Sequence, residues 1–124
     1  MGTWTMRADP ARNRLYGMLE GYFTADDMKK CADDTIEKTK RLRPGYCTIT
    51  DVTQCKPMPP EAAKEIERVQ AHFRKSGARQ GVRIVGGNIL SGMQFKRTGN
   101  SAEYNSVNMA SMEEAEKFLD SLST

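Results

Sequence analysis

The residues best placed to do chemistry follow one another in Thr53-Gln54-Cys55-Lys56-Pro57-Met58-Pro59-Pro60, which offers a hydroxyl, a thiol and an ammonium. An ammonium beside a thiol can lower its pKa and turn the thiolate into a nucleophile, so Cys55 with Lys56 is the place where a thiol-dependent enzyme or redox protein would work. Nucleophilic catalysis also needs a positioned base, and none is identifiable; no Ser, His and Asp arrangement is visible either. The simpler reading is an unreactive loop thiol, with Thr53 as a local backbone cap, and no catalytic residue is assigned. Cys31 falls on an apolar helical face and Cys47 in a strand, where thiols act as small core residues. The chain has three cysteines, no C-x-x-C pair and one histidine, His72. That pattern argues against a zinc site and a disulfide framework. His72 lies off the neighbouring apolar stripe and reads as a solvated side chain. No metal and no cofactor is expected.

Anion chemistry has two candidates. Gly86-Gly87-Asn88 follows a strand as phosphate-binding turns do, but it lacks the remaining glycines, lysine and hydroxyl of those motifs, so a structural turn is the better reading. Between Arg68 and Arg97 there is no acidic residue, while Arg74, Lys75, Arg79, Arg83 and Lys96 accumulate. Such a stretch could bind an anion or nucleic acid, or dock an anionic membrane or an acidic partner. Aromatic interleaving for base stacking is poor, however, and Arg74 and Lys75 suit a helix C-terminus. A solvated face is the simpler account, and the net charge of +3 demands no polyanion. Apolar chemistry has one candidate: Met58 in the loop, with Ile89, Leu90, Met93 and Phe95 further on, would make an adaptable surface rimmed by Lys56 and Lys96. Core filling is the competing use of the same residues.

Some set of elements must position these residues. At 124 residues the chain is expected to be one domain, 1–124, able to bury a core without metals or disulfides. Residues 3–8 alternate as a half-buried strand, Asp9-Pro10-Ala11-Arg12-Asn13 supplies turn chemistry, and 14–22 resumes extended character, with Gly17 and Gly21 marking a bulge or close approach. Thr24 caps a helix over 24–42 whose stripe is Met28, Cys31, Ala32, Thr35, Ile36, Thr39 and Leu42; Pro44 discourages its continuation and Gly45 can take the left-handed conformation that ends it. Residues 46–52 are rich in β-branched side chains and predict a central strand, followed by a loop over 53–60. A second helix over 61–75 carries Ala62, Ala63, Ile66, Val69 and Phe73 and stops at Ser76-Gly77. Residues 81–86 give a third strand signal. Residues 88–100 predict one short helix despite Gly92 and Gly99, and 104–109 an edge strand. Ser111-Met112-Glu113-Glu114 then matches a capping box before the stripe Ala115, Phe118, Leu119, Leu122. These elements predict an α/β fold with a single mixed sheet of about four or five strands, an N-terminal hairpin followed by parallel crossovers. The helices over 24–42, 61–75 and 112–122 each have one apolar stripe, so helices mainly on one face are expected. The start, Met1-Gly2-Thr3-Trp4-Thr5-Met6-Arg7, lacks an apolar leader-like core, and no later run reaches membrane-spanning length; a soluble, cytoplasmic protein is expected.

This order of elements, with Ile49-Thr50-Asp51-Val52-Thr53, Val82-Arg83-Ile84-Val85 and the closing Met109-Ala110-Ser111-Met112-Glu113-Glu114-Ala115-Glu116-Lys117-Phe118-Leu119, resembles the STAS domains, anti-sigma-factor antagonists and their SpoIIAA-like relatives. The similarity spans nearly the whole chain and rests on packing and capping patterns. In regulatory members a serine at the start of the second helix is phosphorylated, and a helix N-terminus suits the added charge. Counting on from Asp51, the resemblance puts that element near Pro59, Pro60, Glu61 and Ala62, where no hydroxyl stands; control by phosphorylation there is not expected, and Glu61 already supplies negative charge. The resemblance implies a non-enzymatic binding or regulatory module for a protein partner or a small apolar, lipid-like ligand, with homodimerisation open. Its expected contact residues are Thr53, Cys55, Lys56, Met58, Ile89, Leu90, Met93 and Phe95.

Overall fold

The structure, a computed structural model, describes residues 2–102 and 104–122; Met1 at the start of the chain lies outside them. β1 (Thr3–Asp9) and β2 (Arg14–Gly21) form the expected antiparallel hairpin, with Trp4 opposite Leu19 and Met6 opposite Gly17. There follow α1 (Ala25–Thr39), β3 (Cys47–Cys55), α2 (Pro60–Lys75), β4 (Gln80–Ile84), α3 (Ile89–Ser101), β5 (Ser106–Met109) and α4 (Met112–Leu122). The five strands make one sheet in the order β1-β2-β3-β4-β5, antiparallel at β1-β2 and parallel at every other pair. A parallel neighbour cannot be reached by a tight turn, and each of the three parallel connections carries a helix. No described helix is long and apolar enough to cross a membrane.

Local chemistry explains the helix ends. Thr24 Oγ1 accepts from Asp27 N and Asp27 Oδ2 accepts from Thr24 N, both at 3.1 Å, closing a full capping box on α1. On α4 the box is half formed: Ser111 Oγ accepts from Glu114 N at 3.2 Å, but the Glu114 carboxylate turns to Ala110 N at 3.3 Å. Gly45, beyond the end of α1, takes the left-handed conformation at φ +93°.

Alternation along the strands divides the core. Leu15, Leu19 and Val52 face α1, α2 and α3, packing with Phe23, Met28, Ile66, Phe73 and Phe95. Trp4 is half-buried on this side, its Nε1 donating to Asp34 Oδ2 at 3.1 Å. Cys47, Ile49, Val82 and Ile84 point the other way, against Ala115 and Leu119. Three helices therefore share one face, and α4, which the sequence reading had placed with α1 and α2, covers the opposite one. All five residues of β4 are buried, which requires cover on both sides.

Two boundaries also move. The central strand runs to Cys55 rather than ending at Val52, because β2 continues alongside it: Gln54 pairs with Glu20, Cys55 with Gly21, and a register shift between Met18 and Glu20 keeps the two strands together. Thr53, Gln54 and Cys55 are thus strand residues, and the loop shrinks to 56–59. The last strand begins at Ser106, because Tyr104 turns inward and bonds Thr48 Oγ1 through its hydroxyl at 2.6 Å. One of the two glycines that weaken the helical signal of 88–100, Gly92, has a packing role. A Cβ on Gly92 would stand 2.8 Å from Val85 Cγ1, so its absence lets α3 lie against the end of β4.

Candidate functional site

The end of β3 and the start of α3 meet through backbone carbonyls. Ser91 Oγ donates to Cys55 O at 2.7 Å, and Asn88 Nδ2 donates to Cys55 O at 2.5 Å and to Val52 O at 2.8 Å. Gln94 holds the loop by both ends of its amide, accepting from Met58 N at 2.8 Å and donating to Met58 O at 2.7 Å. The two segments expected to form one surface are therefore joined. The fasteners Asn88, Ser91 and Gln94 were missed; their spacing of three on a polar helical side was the available signal.

The expected contact residues separate into two groups. Cys55, Met58 and Phe95 are buried in the core between the sheet and the helices. Ile89 and Leu90 are each 69% exposed and Met93 56%. Lys96 and Arg97, further along α3, and Lys56, next to Cys55, are exposed. Thr53 is the local cap its type suggested, its backbone N and Oγ1 both donating to Asp51 Oδ1, at 2.9 and 2.8 Å. α3 is consequently inverted: Ser91, Gly92, Phe95 and Thr98 face inward and the large aliphatic side chains face out.

The thiol site differs from its sequence reading. Cys55 is buried, and burial pushes its thiol up to about 11 despite the neighbouring Lys56. Cys31 is pushed up to about 12, chiefly by burial, and Cys47 is raised for the same reason. A thiol near 11 rather than 9 carries roughly a hundredth of the thiolate at neutral pH. Native protein treated with iodoacetamide at neutral pH is thus expected to react more than about a hundredfold slower than free cysteine. In guanidinium all three thiols should label, counted by intact mass; a site that reacts as fast as free cysteine in the native protein would restore the thiol-dependent reading.

His72 is not simply solvated. Its Nε2 lies 2.8 Å from Thr39 Oγ1, whose own proton goes to Ile36 O at 2.6 Å, so the imidazole donates across the α1–α2 contact. Burial, then the charge of Lys40, lowers its pKa and favours the neutral ring. The basic stretch between Arg68 and Arg97 is also redistributed. Arg68 pairs with Glu65 at 2.6 Å and Asp33 at 2.8 Å. Arg74 and Lys75 end α2, Lys96 is on the outside of α3, and Arg83 is buried. At Gly86-Gly87-Asn88 the chain makes a structural turn, with Asn88 N donating to Val85 O at 2.7 Å.

No protein-family model and no curated protein matches the sequence. Among solved structures the chain is similar to an uncharacterized protein of the DUF3478 family from Shewanella loihica PV-4, described as having a SpoIIAA-like fold. The TM-score is 0.72 over 96% of this chain and 95% of that one, at 12% identity. The fold of this chain is SpoIIAA-like.

Proposed function

We propose that this chain is a non-enzymatic, STAS-like binding module whose partner is a protein, docked on the outer side of α3. One observation carries the reading: Ile89, Leu90 and Met93 stand in solvent on a helix whose polar residues Asn88, Ser91 and Gln94 are spent on fastening it to the sheet. A small lipid-like ligand needs a concave apolar site that encloses it. Here the aliphatic groups project outward, and the interior cavity of about 50 Å³ is far smaller than ordinary ligand pockets. A protein partner can supply the missing concavity, as grooves that receive helices do.

Charge favours an acidic partner over a second copy of this chain. No carboxylate occurs in the sequence between Glu67 and Glu103, and Lys96 and Arg97, three and four residues after Met93 on α3, are exposed, as is Lys56 in the loop. Two such surfaces brought together would set like charges against each other. To test the reading, the photo-crosslinker p-benzoylphenylalanine would be placed at Leu90 and, as a control, at the exposed Lys117 of α4, in the source cells. A discrete heterologous adduct is expected from position 90 alone, reduced about tenfold by Met93→Asp, the effect of losing one central apolar contact. An adduct of twice the chain mass would indicate self-association instead, and equal crosslinking from both positions would dismiss α3 as the docking face.

A further inference from the structure

Three segments far apart in the sequence meet at the end of the sheet where β2, β3 and β4 begin: the hairpin turn 10–13, the connection 40–46 after α1, and 74–79, which ends α2 and leads to β4. The first residues of the three strands, Arg14, Cys47 and Gln80, are register partners, so the segments before them stand side by side. Hydrogen bonds join them. Arg43 N donates to Asn13 Oδ1 at 2.8 Å and Asn13 Nδ2 to Arg43 O at 3.2 Å, while Gly45 N donates to Gly77 O and Arg79 N to Tyr46 O, both at 2.7 Å.

Of the chain's 19 Lys and Arg these segments hold seven, and of its 16 Asp and Glu they hold none, so the rest of the chain is net acidic. All seven side chains are exposed. Arg12 is met by Asp9 at 4.0 Å and Glu116 at 3.2 Å, and Lys40 by Glu37 at 2.9 Å. Arg41, Arg43, Lys75 and Arg79 form no ion pair among the described residues. Compensation of the helix dipoles accounts for Lys40 at the end of α1 and for Arg74 and Lys75 in the last turn of α2, but not for Arg41, Arg43 and Arg79, which lie beyond the helices. In the sequence 74–79 alone reads as a solvated face; the fold sets Arg12, Lys40, Arg41 and Arg43 beside it.

We propose that this basic end is a docking surface for double-stranded nucleic acid, held by its phosphates without reading of the bases. Charge complementarity carries the choice. None of the exposed large apolar side chains, Tyr22, Ile89, Leu90, Met93 and Met112, stands in the three segments. A protein interface centres on apolar or aromatic anchors, and a membrane holds a basic patch stably only with a second, apolar signal. A nucleic-acid backbone needs neither, because release of its condensed counterions drives binding. Three of the four unpaired cations are arginines, whose planar fork meets a phosphate with two parallel N–H donors. The starts of three neighbouring strands span about 10 Å, and a duplex carries one charge per about 1.7 Å of its axis, so the surface faces several phosphates. Both α1 and α2 finish at this end, which leaves no helix to enter a groove and makes the binding indifferent to sequence. The start of α3 lies at the opposite end of the strands, so this surface stands or falls independently of the protein partner.

The test is fluorescence anisotropy of labelled duplexes of about 20 base pairs, two DNA sequences and one RNA, titrated with the whole protein between about 25 and 150 mM NaCl. Similar affinity for the two DNA sequences is expected, with a slope of log K against log salt of about −3.6 for four phosphate contacts. Binding of either duplex type supports the proposal, and the tighter one identifies the source of the phosphates. Arg41→Glu combined with Arg79→Glu should halve the slope and weaken binding at low salt at least about tenfold. Lys29→Glu combined with Lys117→Glu, the same change of net charge at exposed positions of α1 and α4, should leave the slope unchanged. Melting curves by circular dichroism confirm that both pairs fold. No binding by the wild type at the lowest salt overturns the proposal without recourse to any variant, as does an equal loss in both pairs. Binding to vesicles of phosphatidylserine and phosphatidylcholine without binding to the duplexes also overturns it and assigns the surface to a membrane.

Discussion

Met58→Asp is expected to abolish cooperative folding or lower the melting temperature by tens of degrees, whereas Met93→Asp should change it by no more than a few. Met58 is buried among Cys55, Ala62, Ile66 and Phe95. An ionised carboxylate placed there loses its water without gaining a partner, at a cost of several kcal/mol, against a total stability of about 5–15 kcal/mol for a domain of ordinary size. Met93 is more than half exposed. An aspartate there keeps its hydration and costs only its weaker helix propensity, about 0.5 kcal/mol. Thermal melts followed by circular dichroism, with urea midpoints as a second measure, separate the two cases. Comparable losses in both variants would mean that the outer side of α3 is covered within the protein itself, and the partner reading would fail.

That contrast marks how far the proposed surface could be read from residue types. Met58 and Met93 have the same side chain, and each stands beside residues that weaken a regular-structure signal, prolines for the one and Gly92 for the other. Only the tertiary fold decides which is enclosed. Asn88, Ser91 and Gln94 turn the polar side of α3 inward, because carbonyls at the end of β3 and in the loop need donors. Hydrophobic periodicity assumes the reverse arrangement, so the segment gave an ambiguous helical signal and its aliphatic residues were open to either use. Arg83 was harder still. Its neighbours Val82 and Ile84 announce a strand, but nothing local says that both faces of that strand are covered.

The rest of the fold was more legible. Residues 24–42 carried a cap, early acids and a continuous stripe, and α1 follows them closely because local and tertiary preferences agree. Thr53-Gln54-Cys55 looked like loop beside three prolines, but the register shift in β2 carries the pairing to its end. The stripe of α4 identified the helix without saying which side of the sheet it would cover. Single-stripe amphipathicity is the same on either side; the deciding information lies in the strands. Cys47, Ile49, Val82 and Ile84 form an apolar set facing away from α1, α2 and α3.

Leu119→Ala therefore tests whether α4 is an integral layer. Leu119 is 1% exposed and, with Ala115, packs against Ile49, Val82 and Ile84. Truncating a buried leucine removes its transfer free energy and leaves a cavity, together about 2–5 kcal/mol. For a chain of this length each kcal/mol moves the melting temperature by roughly 3–6 °C, so a fall of about 10–20 °C is expected. The polar side of the helix offers only partial compensation. The buried Arg14 bonds Glu116 and Asp120, each at 2.8 Å, while Asp120 itself is largely exposed. Leu122→Ala, at a half-buried position near the end of α4, should cost distinctly less. Hydrogen exchange gives the sharper readout: in Leu119→Ala the amides of α4 should lose protection together with those of β4, because removing the helix uncovers that strand. Loss of protection confined to α4, with a melting temperature close to wild type, would make the helix a loosely attached flap and leave the second face of the sheet open to another occupant.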